Sequence, residues 1–229
     1  MVLISHRYKF IHLRNFKVAG SSVESFMGQF CIDPAEQSSY VYDDKNKMVE
    51  SAYGIIGNVP DGVIGKSIFG DNLWSYHISA KDVKERIGED MFQQYLKFCI
   101  IRNPYDRMVS MYHWSMRLKY MNNIEIKPLD FKTFCKHATN QGVRCDLQRI
   151  LLDGNPVCDY YIRYENLKED LVILLDKLGI TDYNIEDLPN HKSQFRPKDK
   201  PYQDYYDDET RAIVADLFKT EIEMFGYTF

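Results

Sequence analysis

Two turns in this chain bring together residue types that hold anions. The first reads Arg14-Asn15-Phe16-Lys17-Val18-Ala19-Gly20-Ser21-Ser22, a lysine, small residues and two hydroxyls ahead of a helical pattern. Backbone N–H groups at such a turn point at a common spot where the helix dipole favours negative charge, so it should cradle a phosphate. The second reads Ile101-Arg102-Asn103-Pro104-Tyr105-Asp106-Arg107-Met108-Val109-Ser110. Ser110 lies about two helical turns beyond Pro104, so a folded-back loop can direct the Arg102 guanidinium and a hydroxyl at one phosphate. Asp106 and Arg107 are expected to hold that loop together. An isolated arginine at a strand end is more often a structural salt bridge, and the pairing with the first turn reverses that judgement. Lys17 precedes Gly20 and no lysine adjoins the serines, so the Gly-x-x-x-x-Gly-Lys-Ser/Thr loop of magnesium-dependent nucleotide enzymes is absent.

A third requirement is a proton acceptor. Histidine, with an unperturbed pKa near 6.5, suits that role near neutral pH. His77 stands at the end of a short strand-like stretch, Asn72 to His77, just before a helix that Ser79 can cap. It reads either as a base on the same sheet edge as Lys17 and Arg102 or as a structural histidine capping that helix. His12 reads as half-buried structure, and His113 could line an acceptor pocket. Trp74 and Trp114 flank these elements and are candidates for acceptor contacts, although most such aromatics are core.

The elements that must position these groups follow from periodicity. Tyr8 to Leu13 reads as a strand and Ser22 to Phe30 as a helix; Tyr95 to Ile101 reads as a buried parallel strand, and Pro104 opens a helix reaching about Tyr120. Ala80 begins a short helix that ends near Gly88. Tyr160 to Tyr164 reads as a strand, and Leu167, Leu171, Leu174, Leu175 and Leu178 form a helical stripe closed by Gly179. Asp207 to Phe225 makes a last amphipathic helix. Strands alternating with helices imply an α/β fold with a mostly parallel sheet flanked by helices and ligands at the carboxyl ends of its strands. One domain over residues 1–229 is expected, with 33–72 as a loop-rich excursion that could shape an acceptor mouth.

Bulk properties narrow the class. The formal net charge is −4 and the pI about 5.9, which disfavours a nucleic-acid binder working through a broad basic surface. Yet Arg7, Lys9, Arg14 and Lys17 fall in the first twenty residues without an acidic residue among them, either a local anion site or a solvated edge. No apolar run approaches the roughly 20 residues of a membrane span, and Met1 to Lys9 lacks the apolar core of a secretory leader. A soluble, cytoplasmic protein without stable membrane insertion is expected. The five cysteines form no C-x-x-C pair and read as reduced structural thiols.

With these residues in place, the chain resembles the sulfotransferases that use 3′-phosphoadenosine 5′-phosphosulfate (PAPS), in particular their carbohydrate-type branch. Lys17-Val18-Ala19-Gly20-Ser21-Ser22 and, some eighty residues later, FCIIRNPYDRMVSMY resemble the two donor-binding signatures of that family. Tyr161 to Leu167 and the aromatic-bounded ending from Tyr205 to Tyr227 are similar to later family segments. The resemblance implies a P-loop-like three-layer fold. It implies that Lys17 meets the oxygen bridging the 5′-phosphate and the sulfuryl group, with Val18, Ala19, Gly20, Ser21 and Ser22 around the 5′-phosphate. Arg102 and Ser110 would bind the 3′-phosphate. Arg196 and Lys198, in the basic stretch HKSQFRPKDK, would be brought over it, or belong to a solvated loop. His77 also resembles the histidine preceding the Ala-Lys helix of similar sequences. The reaction that the resemblance implies is in-line sulfuryl transfer to a hydroxyl, with a glycan or glycolipid as the expected acceptor, PAP as product and no metal. A P-loop-like kinase, which would need magnesium and ATP, and a catalytically silent nucleotide-binding module are the competing readings.

Overall fold

The structure, a computed structural model, describes residues 1–42, 48–57, 74–75, 77–121, 129–141, 143, 145, 147–191, 196–197 and 200–229. Two compact units arise, Met1–Ile101 with Leu147–His191, and Arg102–Asp146 with Lys192–Phe229.

The first unit carries the sheet. Strands β1 (Val2–Ser5) and β2 (Phe10–Leu13) lead into helix α1 (Gly20–Met27); β3 (Val49–Ser51) and β4 (Gly54–Gly57) form a hairpin. Helices α2 (Ala80–Ile87) and α3 (Glu89–Gln94) precede β5 (Leu96–Ile101). The strand order is β3-β4-β1-β2-β5-β8, where β8 (Tyr160–Arg163) comes later in the chain. Parallel pairing joins β2 to β5 and β5 to β8, whereas β3, β4, β1 and β2 pair antiparallel. The α/β expectation therefore holds, with an antiparallel extension formed by the unanticipated β1 and the β3–β4 hairpin. Helix α1 and helix α7 (Leu167–Lys177) close one core with the sheet: Val23, Phe26, Met27, Leu171, Leu174 and Leu175 meet Leu3, Phe10, Phe98, Ile100 and Ile162. The leucine stripe ends as its glycine predicts, Gly179 taking φ 67°.

Two details of this unit bear on energetics. Lys97 is buried within β5, and its ammonium is satisfied by the carbonyls of Tyr95 at 2.7 Å and Phe92 at 3.2 Å and by the Asp159 carboxylate at 2.9 Å. His12, expected to be half-buried, is fully buried because its side chain shares the core-facing side of β2 with Phe10 and stacks on Phe98 at 4.9 Å. Neither of its ring nitrogens has a hydrogen-bond partner among the described residues. Burial, then the Met1 ammonium and Arg14, hold its pKa well below the ordinary histidine range. An unfolded chain takes up that proton near pH 6.5 and the folded one does not, so stability falls as pH drops below about 6.5, by up to about 1.4 kcal/mol per pH unit. Urea titrations between pH 5 and 7.5 should show this slope in the wild type and a shallower one in His12→Phe.

Ahead of β8 in the chain, the short α6 (Leu147–Ile150) and the hairpin of β6 (Leu151–Leu152) and β7 (Asn155–Pro156) belong to the first unit as well. The second unit is helical: α4 (Pro104–Met121), α5 (Phe131–Lys136), α8 (Asp208–Leu217) and α9 (Lys219–Phe225). Met108, Val109, Phe131, Phe134, Val214 and Phe218 form its core. Asp207 and Thr210 make a reciprocal capping box at the start of α8. The single terminal helix expected from Asp207 to Phe225 is divided at Phe218, whose φ of −112° leaves the helical region while its ring is buried under the Arg107 guanidinium at 4.6 Å. Arg107 also pairs with buried Glu221 at 2.6 Å, so it serves the helical core. All five cysteines are free thiols; burial pushes Cys135 up to about 12, which keeps it protonated and unreactive. No helix among the described residues is long and apolar enough to cross a membrane.

Candidate functional site

The first turn leaves β2 at Leu13 and enters α1 at Gly20. Asn15, 3% exposed, fastens it to the neighbouring strand by donating its side-chain amide to the Ile100 carbonyl at 3.0 Å. Lys17 and Ala19 both take left-handed backbone conformations, φ 58° and 64°, in a segment without glycine at those two positions. Such conformations cost a residue bearing a Cβ roughly 1 kcal/mol each and concentrate at functional sites. Replacing Ala19 by glycine should therefore raise stability by about 1 kcal/mol, or about 2–4 °C in Tm, whereas Ala19→Val should lower it. Scanning calorimetry of the two variants checks both signs.

The N-terminus of α1 has no side-chain cap and no acidic residue in its first turn. Ser22 and Val23 begin the backbone ladder by donating to Ala19 at 2.9 and 3.3 Å, and the amides of Gly20 and Ser21 precede it. That is the arrangement an anion completes. Val18 is buried in the core, so only its backbone can face a ligand. The Ser22 hydroxyl accepts from the His191 amide at 3.1 Å, and that of Ser21 from Arg14 at 3.3 Å.

His77 belongs to the same unit, and its ring stacks on Phe16, the residue before Lys17, with centroids 3.7 Å apart and planes 19° from parallel. Arg149 lies with its guanidinium 4.7 Å from the Phe16 ring centre and donates to the His77 carbonyl. The helix-capping alternative for His77 is overturned, because Ser79 caps α2 by accepting from the Asp82 amide at 3.1 Å. Of the strand expected from Asn72 to His77, only Trp74, Ser75 and His77 fall within the described residues. Trp74 is 3% exposed, packed where Gly57 leaves room for it and under the Arg86 guanidinium at 5.1 Å. It is a core side chain, not an exposed surface for an acceptor.

In the second unit, Arg102 is 7% exposed and grips one Asp106 oxygen with Nε and Nη2 at 2.8 and 2.7 Å. The other Asp106 oxygen accepts from Arg196, which also reaches the Lys200 carbonyl at 3.3 Å. One carboxylate thus gathers two of the expected anion ligands. Asn103 caps the turn, accepting from the Tyr105 amide at 3.0 Å and donating to the Thr228 carbonyl at 2.8 Å. Ser110 and Trp114 are half-buried on α4. His113 shares a hydrogen bond of 2.9 Å with the Tyr205 hydroxyl; burial, then Arg196 and Lys200, lower its pKa, so it stays neutral near pH 7. Lys198 lies outside the described residues.

Two participants, Arg149 and Glu24, and one contact, that of Arg196 with Asp106, were not visible in the sequence. Arg149 meets the His77 backbone across 72 residues, and Arg196 reaches Asp106 across 90, separations that no local spacing announces. Glu24, which pairs with Arg14 at 2.8 Å, is hidden as one polar position on the buried helix α1.

A family model described as the sulfotransferase family matches residues 1–228, and the chain belongs to that family, which makes it a transferase. It is also 28% identical over 100 residues to an uncharacterized protein of Archaeoglobus fulgidus, a match covering 44% of this chain and 81% of that protein. No solved structure matches the chain.

Proposed function

We propose that this protein transfers a sulfuryl group from PAPS to an acceptor hydroxyl by in-line displacement. The observation that carries this reading is the uncapped, acid-free start of α1, with Lys17 held in its left-handed turn and His77 stacked on the adjacent Phe16. In the proposed reaction the acceptor oxygen forms a bond to sulfur as the bond from sulfur to the 5′-phosphate oxygen breaks. His77 takes the hydroxyl proton, and the leaving phosphate keeps the electron pair, giving PAP. Lys17 and the amides of Gly20 and Ser21 stabilise the charge gathering on that phosphate. Arg102 and Ser110, with Arg196 and Lys198, take the 3′-phosphate. The residues fit an anionic donor, since a buried guanidinium and a helix start with no acidic residue in its first turn both favour phosphate. The acceptor is a hydroxyl of a glycan or glycolipid, the class favoured by the carbohydrate-type resemblance, with His113 and Trp114 among its contacts.

Calorimetric titration with PAP in EDTA tests the donor. Micromolar binding without metal supports it, and a preference for ATP with magnesium would replace it with a kinase. His77→Ala should abolish the limb of the rate profile between about pH 6 and 7 while leaving PAP affinity within about twofold. An unchanged profile would remove His77 from the mechanism.

A further inference from the structure

We propose that Arg14 is a positioning residue of the phosphate-binding turn, anchored by buried Glu24 and acting on the donor through the Ser21 hydroxyl. The proposal rests on the reading of that turn as the 5′-phosphate cradle. A guanidinium presents several N–H donors in one rigid plane, so it can hold two partners in a defined relation. Here one terminal nitrogen of Arg14 donates to Glu24 Oε2 at 2.8 Å and the other to Ser21 Oγ at 3.3 Å. Glu24 is fully buried, and its second oxygen is occupied by the Met1 ammonium at 2.6 Å. The carboxylate is therefore a fixed post.

Gly20 shows how closely Arg14 lies against the turn. A Cβ on that residue would stand 3.2 Å from Arg14 Nε, 3.4 Å from Cγ and 3.6 Å from Cδ, so the arginine stem occupies the space that a side chain would need. Arg14 also places a cation at the positive end of α1, opposite to what the helix dipole favours for stability. An anion arriving at the turn reverses the sign of that arrangement. Because the Ser21 oxygen accepts from Arg14, its own proton is turned away from the guanidinium, and Ser21 is 6% exposed, so few directions are left to it. The geometry makes Arg14 the residue that sets how Ser21 offers its hydroxyl to the phosphate.

A double-mutant cycle on the full chain, read as PAP affinity by calorimetry with the Tm of each variant alongside, tests this. Arg14→Lys keeps the charge facing Glu24 and loses the second arm; Ser21→Ala removes the hydroxyl. Each single variant should weaken PAP binding about 5- to 10-fold, the double variant no more than about twofold further, because the two residues act as one unit. Ser21→Thr, which restores a hydroxyl, should recover most of the loss in the Arg14 background and none in Arg14→Lys. Single effects that multiply in the double variant, or Arg14→Lys binding PAP as the wild type does, would overturn the proposal while the donor reading stands. A wild type that does not bind PAP would overturn both. If Arg14→Lys does not fold, Arg14→Gln takes its place in the cycle.

Discussion

Replacing Lys17 by methionine should lower the turnover number about 10²- to 10³-fold while changing PAP affinity by less than about fivefold, the size and split expected when a group acts on charge that develops only in the transition state. The oxygen joining the 5′-phosphate to sulfur gains negative charge as the bond breaks, and a cation beside it stabilises that change more than the bound ground state. The backbone of the turn should survive the substitution, since methionine keeps the unbranched stem and the left-handed φ of 58° is borne by residue 17 in either case. Initial rates against PAPS, set beside PAP calorimetry, separate the two quantities. A loss of affinity equal to the loss of turnover would mean that Lys17 serves binding alone.

The second large effect is expected at Arg102. Arg102→Ala should raise the Kd for PAP about 30- to 1000-fold, the range for removing one partner of a buried, hydrogen-bonded charge pair. The same variant should bind adenosine 5′-phosphate within about threefold of wild type, because that ligand lacks the 3′-phosphate. Arg102→Lys should fall between, as it keeps a charge but cannot present the two nitrogens that now meet Asp106 at 2.8 and 2.7 Å. Equal losses for both nucleotides would move Arg102 from 3′-phosphate recognition to support of the loop.

What could be read from the sequence was what local pattern determines. The strand-to-helix units at β2–α1 and β5–α4, the Ser79 cap and the Gly179 stop follow from periodicity and from the backbone needs of single residues. Strand β1 escaped because four apolar-rich residues beside His6 and Arg7 say little until β4 and β2 flank them. The division of the terminal helix escaped because Phe218 satisfies an amphipathic pattern whether or not the helix continues. Among candidate functional residues, types and chain order pointed to Lys17, Arg102 and His77. The partners that hold them did not, since Arg149, Arg196 and Asn15 reach backbone or carboxylate groups far along the chain. Long-range contacts are decided by the packed sheet, and a single sequence carries no trace of their pairing.

The position of β5 has a consequence for how the chain acquires this architecture. Both of its neighbours are remote, β2 in register Phe10↔Leu96 and β8 in register Phe98↔Tyr160. Each pairing must close a long loop before it is rewarded, which places this half of the sheet among the slow steps of folding. A chain emerging from the ribosome can form the β1–β2 and β3–β4 hairpins early, but β5 keeps an open hydrophobic edge until Tyr160–Arg163 has been made. That interval is when the newborn protein is most exposed to strand-to-strand aggregation. Its demand for chaperones should peak during synthesis of residues 102–159.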